Sequence, residues 1–170
     1  MKLKKRIIFT LLFCKGHFYL SRNFRLQKIG DLDWLKSNYN FNNVSFYIDE
    51  LIILNVSREP GNFLDFCKII KEFSKEIFVP LSVGGAINNL DDVKNLFSSG
   101  ADKVVINTNL FENPNIAKEI CSLYGKQCLV ASLDLKKENG KYNIYSKCGS
   151  QNQGDLKEFL TNQNILENVG

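Results

Sequence analysis

The sequence predicts an α/β protein built on a parallel sheet, and two observations support this. Ile77 to Val83 is a short apolar run rich in β-branched and aromatic residues, which is typical of a strand buried on both faces. Stretches with apolar residues at helical spacing alternate with such runs, and the links between them are short. Strands and helices that alternate with short connections favour parallel strands joined by crossover helices.

The stretch from Pro80 to Thr108 contains a complete strand–helix–strand unit. Asn89 is suited to cap a helix whose first turn is acidic, and Gly100 is suited to end that helix. The apolar residues of the helix form one stripe, and Lys103 to Ile106 follows as the next strand. Because the two strands are parallel, their C-terminal ends meet at the same edge of the sheet.

Both strand ends in this unit carry residues suited to a phosphate group. Gly84 and Gly85 follow the first strand, where the backbone must turn or approach a ligand closely. Asn107 and Thr108 follow the second strand. Because backbone N–H groups in such loops can hold an anion, these four residues are the predicted binding site for a phosphorylated small molecule.

Local signals predict two more helices and a hairpin. Asn62 to Ser74 has apolar residues at helical spacing, and Pro114 to Tyr124 begins with proline and is followed by glycine. The dipeptide Asn139-Gly140 predicts the turn of a hairpin whose second strand is Lys141 to Ser146.

Composition and charge exclude several classes of protein. The chain has 170 residues and is predicted to form a single domain, residues 1–170. Its net charge of +4 includes no basic patch interleaved with aromatic residues, so no nucleic-acid partner is expected. No apolar run is long enough to span a membrane. The five cysteines form no CxxC pair, and the single His17, interpreted as a loop residue, cannot anchor a metal site. We expect a cytoplasmic protein with reduced thiols and with neither metal nor cofactor.

The N-terminus has some features of an export signal. A basic cluster, MKLKKR, precedes the apolar run Ile7 to Phe13, and Cys14 follows. The run is at the lower limit of signal-peptide length, and bulky Phe13 stands where a cleavage site needs a small residue. Both facts argue against a signal.

The segment VGGAINNLDDVKNLFSSGADKVVINT closely resembles the corresponding segment of the HisF family, the cyclase subunit of imidazole glycerol phosphate synthase. The resemblance extends over nearly the whole chain and implies a phosphate-binding (βα)8 TIM barrel. It also makes the basic N-terminus part of the first strand of a cytoplasmic protein. The strands that it implies are Lys4–Ile8, Asp49–Val56, Ile77–Gly85, Lys103–Thr108 and Gly125–Lys137.

A complete (βα)8 barrel needs about 250 residues, so the resemblance implies an incomplete barrel of about five βα units with a short hairpin after strand five. We expect a truncated product or a fragment of a longer protein, and a self-sufficient smaller α/β domain is the alternative. Strands one and five are then expected to be open, association-prone edges. The inward-facing residues expected to lose packing partners are Ile7, Leu54, Val83, Val105 and Val130.

The resemblance implies a pair of catalytic aspartates, one after strand one and one after strand five. Asp134, in SLDLKK, matches the second, whereas Leu12 stands where the family has the first. Leucine cannot transfer a proton, so half of the acid–base pair is absent. Further departures from the family pattern are Leu20, Asn55, Ala86 and Asn88.

The family also has a ring of charged residues at the N-terminal end of the barrel, which gates ammonia arriving from a docked HisH-like glutaminase. Arg6, Glu50 and Lys103 match three members of that ring. Asp102 matches an aspartate near the glutaminase interface. The alternative interpretation is an ordinary salt-bridge cluster that closes the bottom of a barrel.

Four functional hypotheses follow. The first is a divergent HisF-like subunit that serves amidation of a bacterial surface-glycan sugar, from acetamido to acetamidino, with an ATP-dependent sugar amidotransferase. The second is a true cyclase subunit, a lyase of histidine biosynthesis. The third is a non-catalytic phosphosugar-binding module, and the fourth is an inactive truncated product. Leu12 favours the first hypothesis over the second, because the resemblance implies that a cyclase carries an aspartate at this position.

Overall fold

The structure, a computed structural model, describes residues 5–22, 24–57 and 63–161. Its strands are β1 (Ile8–Cys14), β2 (His17–Arg22), β3 (Arg25–Gly30), β4 (Glu50–Asn55), β5 (Leu81–Gly84), β6 (Lys103–Ile106), β7 (Leu129–Ala131), β8 (Asp134–Glu138), β9 (Lys141–Ser146) and β10 (Gln151–Asp155). Its helices are α1 (Leu32–Asn38), α2 (Phe41–Val44), α3 (Phe63–Glu76), α4 (Leu90–Ser98), α5 (Asn109–Glu112), α6 (Pro114–Tyr124) and α7 (Leu156–Thr161).

A seven-stranded sheet in the order β3-β2-β1-β4-β5-β6-β7 forms the centre of the fold. The strands β1, β4, β5, β6 and β7 are parallel and neighbour one another in chain order. A second, antiparallel sheet has the order β10-β9-β8. The predicted α/β class is confirmed: the parallel strands follow the order of a TIM barrel, and the sheet does not close.

The hydrophobic core lies between one face of the parallel strands and the helices. Alternate residues such as Leu51 and Ile53 of β4 are fully buried in this core, together with Phe66 and Ile70 of α3. The residues between them face the opposite side of the sheet, because side chains alternate along a strand. We call this opposite side the inner face.

The inner face differs in part from the prediction. Leu54, Val105 and Val130 lie there, since Leu54 and Val105 both pair with Gly84 and Val105 pairs with Val130. Val83 was placed there wrongly, because it is fully buried on the helix-facing side. Ile7 was also wrong, since Ile8 is the residue that pairs with Glu50.

The first strand lies further along the chain than predicted. It spans Ile8–Cys14, whereas the prediction was Lys4–Ile8, of which Lys4 lies outside the described residues. All of the export-like run Ile7–Phe13 except Ile7 therefore lies in β1, which pairs with β4 along one side and with β2 at its C-terminal half on the other. Its apolar character is explained by that position.

The β2–β3 hairpin was not predicted, and it changes one expected edge of the sheet. His17, expected in a loop, pairs with Cys14, and Phe18 pairs with Phe13. The C-terminal half of β1 is therefore covered, which corrects the expectation of a fully open edge. Phe18 is completely buried, with its ring centroid 5.5 Å from that of Phe13 and 5.7 Å from that of Phe73. Packing of this ring holds the hairpin against the core.

The predicted fifth strand, Gly125–Lys137, divides into separate elements. Only Leu129–Ala131 pairs with β6, and the N–H of Ser132 donates the last hydrogen bond to Ile106. The chain then leaves the main sheet, and Asp134–Glu138 pairs with β9 instead.

Other boundaries are closer to prediction. The third strand is shorter, Leu81–Gly84, and α3 continues two residues beyond Ser74, while Asn62 lies outside the described residues. The helix Pro114–Tyr124 and the hairpin strand Lys141–Ser146 are confirmed.

Candidate functional site

A pocket of about 650 Å³ lies at the C-terminal ends of the parallel strands. Asn55 closes β4, and Gly85, Asn107 and Ser132 follow β5, β6 and β7; all four line the pocket. The β2–β3 hairpin forms one wall, and the segment after β9 forms another. The pocket therefore occupies the end of the sheet where loops of parallel α/β folds carry functional residues.

Leu12 and Asp134, the two positions matched to catalytic aspartates, both line this pocket. Leu12 is an inner-face residue of β1, and Asp134 is the first residue of β8. Burial raises the pKa of Asp134. The pocket thus contains one carboxyl group whose pKa is shifted upward, towards neutral pH. At position 12 it contains a hydrocarbon side chain, which cannot exchange a proton.

Gly84 and Gly85 are required by strand packing. A Cβ at Gly84 would overlap the carbonyl oxygen of Val105, and a Cβ at Gly85 would overlap that of Asn55. Gly85 also has a φ of 85°, which side-chain-bearing residues rarely adopt. Of the two glycines, only Gly85 lines the pocket. The predicted close approach is therefore to neighbouring strands, whether or not a ligand is bound.

Asn107 and Thr108 line the pocket, but their side chains also hold the second sheet in place. The Asn107 Nδ2 donates to the Ser132 carbonyl at 2.9 Å. The Thr108 Oγ1 accepts a hydrogen bond from the backbone N–H of Lys147 at 3.2 Å. These bonds fasten the β8–β10 sheet over the ends of β6 and β7, a role that the sequence did not reveal.

A compact ion-pair cluster lies on the inner face at the opposite, N-terminal end of the strands. Glu50, whose side chain is 5% exposed, contacts the Arg6 Nη2 at 2.7 Å and the Lys103 Nζ at 3.2 Å. The Ser82 hydroxyl donates to the other carboxylate oxygen at 2.5 Å. The three residues predicted as a group are therefore adjacent, and Ser82 is a fourth member that sequence reasoning missed.

The cluster keeps Glu50 ionised. Burial acts to raise the pKa of Glu50, but hydrogen bonds from Ser82, Lys103 and Arg6, with the charge of Lys103, outweigh it and hold the pKa below its usual value. Ser82 was findable from the sequence, since it lies two residues before Gly84 and hence on the same face of β5.

Asp102 lies at this same end, immediately before β6. Its Oδ2 accepts a hydrogen bond from the N–H of Leu81 at 2.8 Å, and its own N–H donates to the Leu81 carbonyl at 2.8 Å. Asp102 therefore ties the start of β5 to the start of β6, while the residue itself remains exposed.

Metal-binding and membrane-spanning features are absent from the part of the chain that the structure describes. No group of three or more His, Cys, Asp or Glu side chains there could hold a metal ion. No helix in those ranges combines the length and the apolar character needed to cross a membrane.

Parallel βα units with a pocket at the strand C-termini define a protein of the (βα)-barrel class. The profile of one family within this class, described as histidine biosynthesis protein, matches residues 41–167. The chain belongs to this family.

Named relatives point to one subunit type within the family. The chain is 50% identical over 159 residues to subunit hisF2 of imidazole glycerol phosphate synthase, as named in Parasynechococcus marenigrum, a match that covers 93% of this chain and 59% of the relative. It is 41% identical over 114 residues to the HisF subunit of Dictyoglomus thermophilum, covering 66% of this chain and 45% of the relative. It is 34% identical over 146 residues to a Campylobacter jejuni protein also named hisF2, and this match covers 85% of this chain and 57% of the relative. The chain is HisF-like and spans about half the length of the curated relatives it matches.

Proposed function

We propose that the chain forms part of a HisF-type imidazole glycerol phosphate synthase subunit, which receives ammonia at one end of its strands and uses it at the other. The observation that carries this proposal is the position of two polar sites on one inner face. The Glu50 cluster lies at the N-terminal ends, and the Asp134 pocket lies at the C-terminal ends. Apolar inner-face residues such as Ile52 and Leu54 lie between them, and neutral ammonia crosses such a surface more readily than ammonium does.

Exposed aromatic residues support a protein partner at the N-terminal end. Phe46 and Tyr47 precede β4 and are 84% and 77% exposed, and Phe78 precedes β5 and is 86% exposed. Large exposed aromatic side chains are typical of interaction surfaces. We infer that a HisH-like glutaminase docks here, beside Asp102, and delivers ammonia to the ring of Arg6, Glu50 and Lys103.

The partner can be tested independently of the final reaction. Glutamine hydrolysis by a purified HisH-type glutaminase is measured with and without this protein. We expect stimulation by the protein, and loss of that stimulation in Phe78→Asp. Leu64→Asp is the matched control, because Leu64 is 57% exposed and lies at the start of α3, which follows β4 and is therefore near the C-terminal ends of the strands. Equal effects of the two variants, or no stimulation by the unmodified protein, would count against the proposal.

The ligand proposed for the pocket is a phosphorylated small molecule held near Gly84, Gly85, Asn107 and Thr108. The support is their position at the ends of β5 and β6. Titration with inorganic phosphate should shift the backbone amide signals of these residues. Shifts confined to Arg6 and Lys103 would contradict this site.

Leu12 supports a second candidate function, amidation of a surface-glycan sugar with an ATP-dependent sugar amidotransferase. Without a carboxylate at position 12, cyclase turnover with ammonia supplied directly should be at least about 100-fold below that of an intact HisF subunit, since general acid–base groups contribute about 10² to 10⁴-fold. Turnover within about tenfold would favour histidine biosynthesis instead. We propose the cytoplasm as the location, supported by five cysteines that form no disulfide.

A further inference from the structure

A buried polar side chain interrupts an otherwise apolar strand of the central sheet. Ser82 is completely buried in β5, where its neighbours Leu81 and Val83 belong to the hydrophobic core. A buried hydroxyl group costs free energy unless it forms a hydrogen bond, and the Ser82 hydroxyl donates to the Glu50 carboxylate. The contact with Glu50 therefore makes a polar residue acceptable at this position.

The contacts of the Glu50 carboxylate differ in length. The Ser82 hydroxyl donates to Oε1 at 2.5 Å, and the Arg6 Nη2 donates to Oε2 at 2.7 Å. The Lys103 Nζ lies 3.3 Å from Oε1 and 3.2 Å from Oε2, which is longer than the about 2.7–2.9 Å usual for a charged N–H group on a carboxylate. Ser82 and Arg6 therefore fix one oxygen each, and Lys103 is shared between the two.

Ser82 is the more rigidly placed of the two close partners. It lies in β5, which pairs with β4 on one side and with β6 on the other. Arg6 precedes β1, and its side chain is 47% exposed. A glutamate side chain has several rotatable bonds, and holding it in one conformation costs entropy that an anchoring contact must offset. The strand residue Ser82 provides this anchor.

The effect of Ser82 on the charge of Glu50 agrees with this geometry. Burial acts to raise the pKa of Glu50, and among the contacts that lower this pKa the hydrogen bond from Ser82 has the largest effect. Ser82 thus favours the ionised carboxylate, the form that Arg6 and Lys103 bind.

We propose that Ser82 is a positioning residue of the ammonia entry, whose hydroxyl holds the Glu50 carboxylate between Arg6 and Lys103 so that one carboxylate keeps both cations in the ring. The inference rests on the proposed delivery of ammonia to this ring and adds a residue to it. Without the hydroxyl, Oε1 is a buried acceptor that has lost its shortest bond. The carboxylate then turns towards Arg6 and away from Lys103.

The test compares two substitutions of similar shape in the full chain. Ser82→Val removes the hydroxyl and Ser82→Thr keeps it, while both side chains are β-branched. The pKa of Glu50 is followed by the carbon NMR signal of its carboxyl group during a pH titration. In Ser82→Val this pKa should rise, because burial of the carboxyl group remains and the strongest opposing contact is gone. In Ser82→Thr it should stay at the wild-type value.

A second signal follows the position of Lys103. The nitrogen NMR signal of its ammonium group should move towards that of an unpaired lysine in Ser82→Val and return in Ser82→Thr. Ser146→Ala is the matched control and should change neither signal, because Ser146 is also completely buried but lies in the second sheet, at the other end of the parallel strands. Ser82→Ala removes the hydroxyl without adding volume and replaces Ser82→Val if the larger side chain prevents folding.

Two results would overturn the inference. One is a Glu50 titration that is unchanged in Ser82→Val and in Ser82→Ala. The other is a Ser82→Thr variant that behaves like Ser82→Val, which would show that the volume of the side chain and not its hydroxyl is responsible. Neither measurement needs a glutaminase. Absence of glutaminase stimulation by the unmodified protein would instead overturn the proposed function, whatever the titration shows.

Discussion

At the scale of single residues, the buried carboxyl group of Glu50 and the half-buried carboxyl group of Asp134 have opposite electrostatic surroundings. Glu50 is held ionised by Arg6, Lys103 and Ser82, and its pKa is lowered. For Asp134, burial is the influence that acts on the carboxyl group, and it raises the pKa. Their contributions to stability therefore depend on pH with opposite signs.

Glu50→Gln should destabilise the fold at neutral pH. The loss should be about 1–3 kcal/mol, because the variant leaves Lys103 and Arg6 without their shared partner, while both remain partly exposed. The stability that ionised Glu50 contributes is present above its unfolded-state pKa and is lost as pH falls through the lowered folded-state pKa. Urea unfolding at pH 7 and pH 3 should show a smaller difference between variant and wild type at pH 3 than at pH 7. A constant difference would mean that charge is not responsible.

Asp134→Asn should stabilise the fold at neutral pH. The folded state binds the Asp134 proton more tightly than the unfolded state does, so ionisation destabilises the fold as pH rises through the unfolded-state pKa towards the raised folded-state pKa. Thermal unfolding should give a higher midpoint for the variant at pH 7 and equal midpoints at pH 3. Stimulation of a glutaminase should be unchanged, because Asp134 lies at the other end of the strands. A lower midpoint at pH 7 would show that the ionised carboxylate has a stabilising partner.

At the scale of elements, the β2–β3 hairpin forms one wall of the pocket, to which it supplies Ser21, Phe24 and Leu26. The hairpin is held by Phe18, the ring that packs between Phe13 and Phe73. The turn of the hairpin also contacts the second sheet. The Phe24 ring in this turn lies so close to Gly149 that a Cβ at position 149 would overlap it. The position of this pocket wall therefore depends on the contacts of Phe18 and Phe24.

Phe18→Ala should therefore loosen the hairpin and cost about 3–5 kcal/mol of unfolding free energy, the usual result of deleting a fully buried aromatic ring. Hydrogen exchange should speed up most at the amides of β2 and β3. Leu20→Ala is the control on the same strand and should change stability by no more than about 0.5 kcal/mol, because Leu20 is exposed. Uniform loss of protection across all strands would show that the hairpin does not unfold separately.

At the scale of the whole molecule, the sheet is open. Within the described residues, β7 pairs on one side only, and β2 covers only the C-terminal half of β1. Inner-face residues such as Ile8 and Thr10 remain exposed. Unpaired strand edges beside apolar surface favour association with other chains.

A polypeptide limited to these 170 residues should therefore form oligomers or aggregates. Sedimentation and thermal unfolding measure this directly. A buried Val, Leu or Ile contributes roughly 1.5–3 kcal/mol, and the total stability of a domain is only about 5–15 kcal/mol, so a few missing contacts remove much of the margin. A monodisperse monomer with one sharp unfolding transition would show instead that the open sheet is self-sufficient.

Local signals were enough to predict the elements that depend on them. The N-cap Asn89, the proline that begins α6 and the Asn139-Gly140 turn each act within a few residues, and each appears in the structure as expected. The alternation of strands and helices also followed from local patterns. The grouping of Arg6, Glu50 and Lys103 was implied by the resemblance to the HisF family, and the structure shows the three residues side by side.

Tertiary structure alone decided the features that depend on distant parts of the chain. The β2–β3 hairpin exists because Phe18 finds a cavity made partly by Phe73, which is far from it in sequence. Asp134 lies outside the main sheet and pairs with Tyr145 of β9, more than ten residues further along the chain. The sequence by itself determined the family, the parallel core and the ion-pair cluster; the shape and polarity of the pocket were decided by long-range packing, which no local pattern encodes.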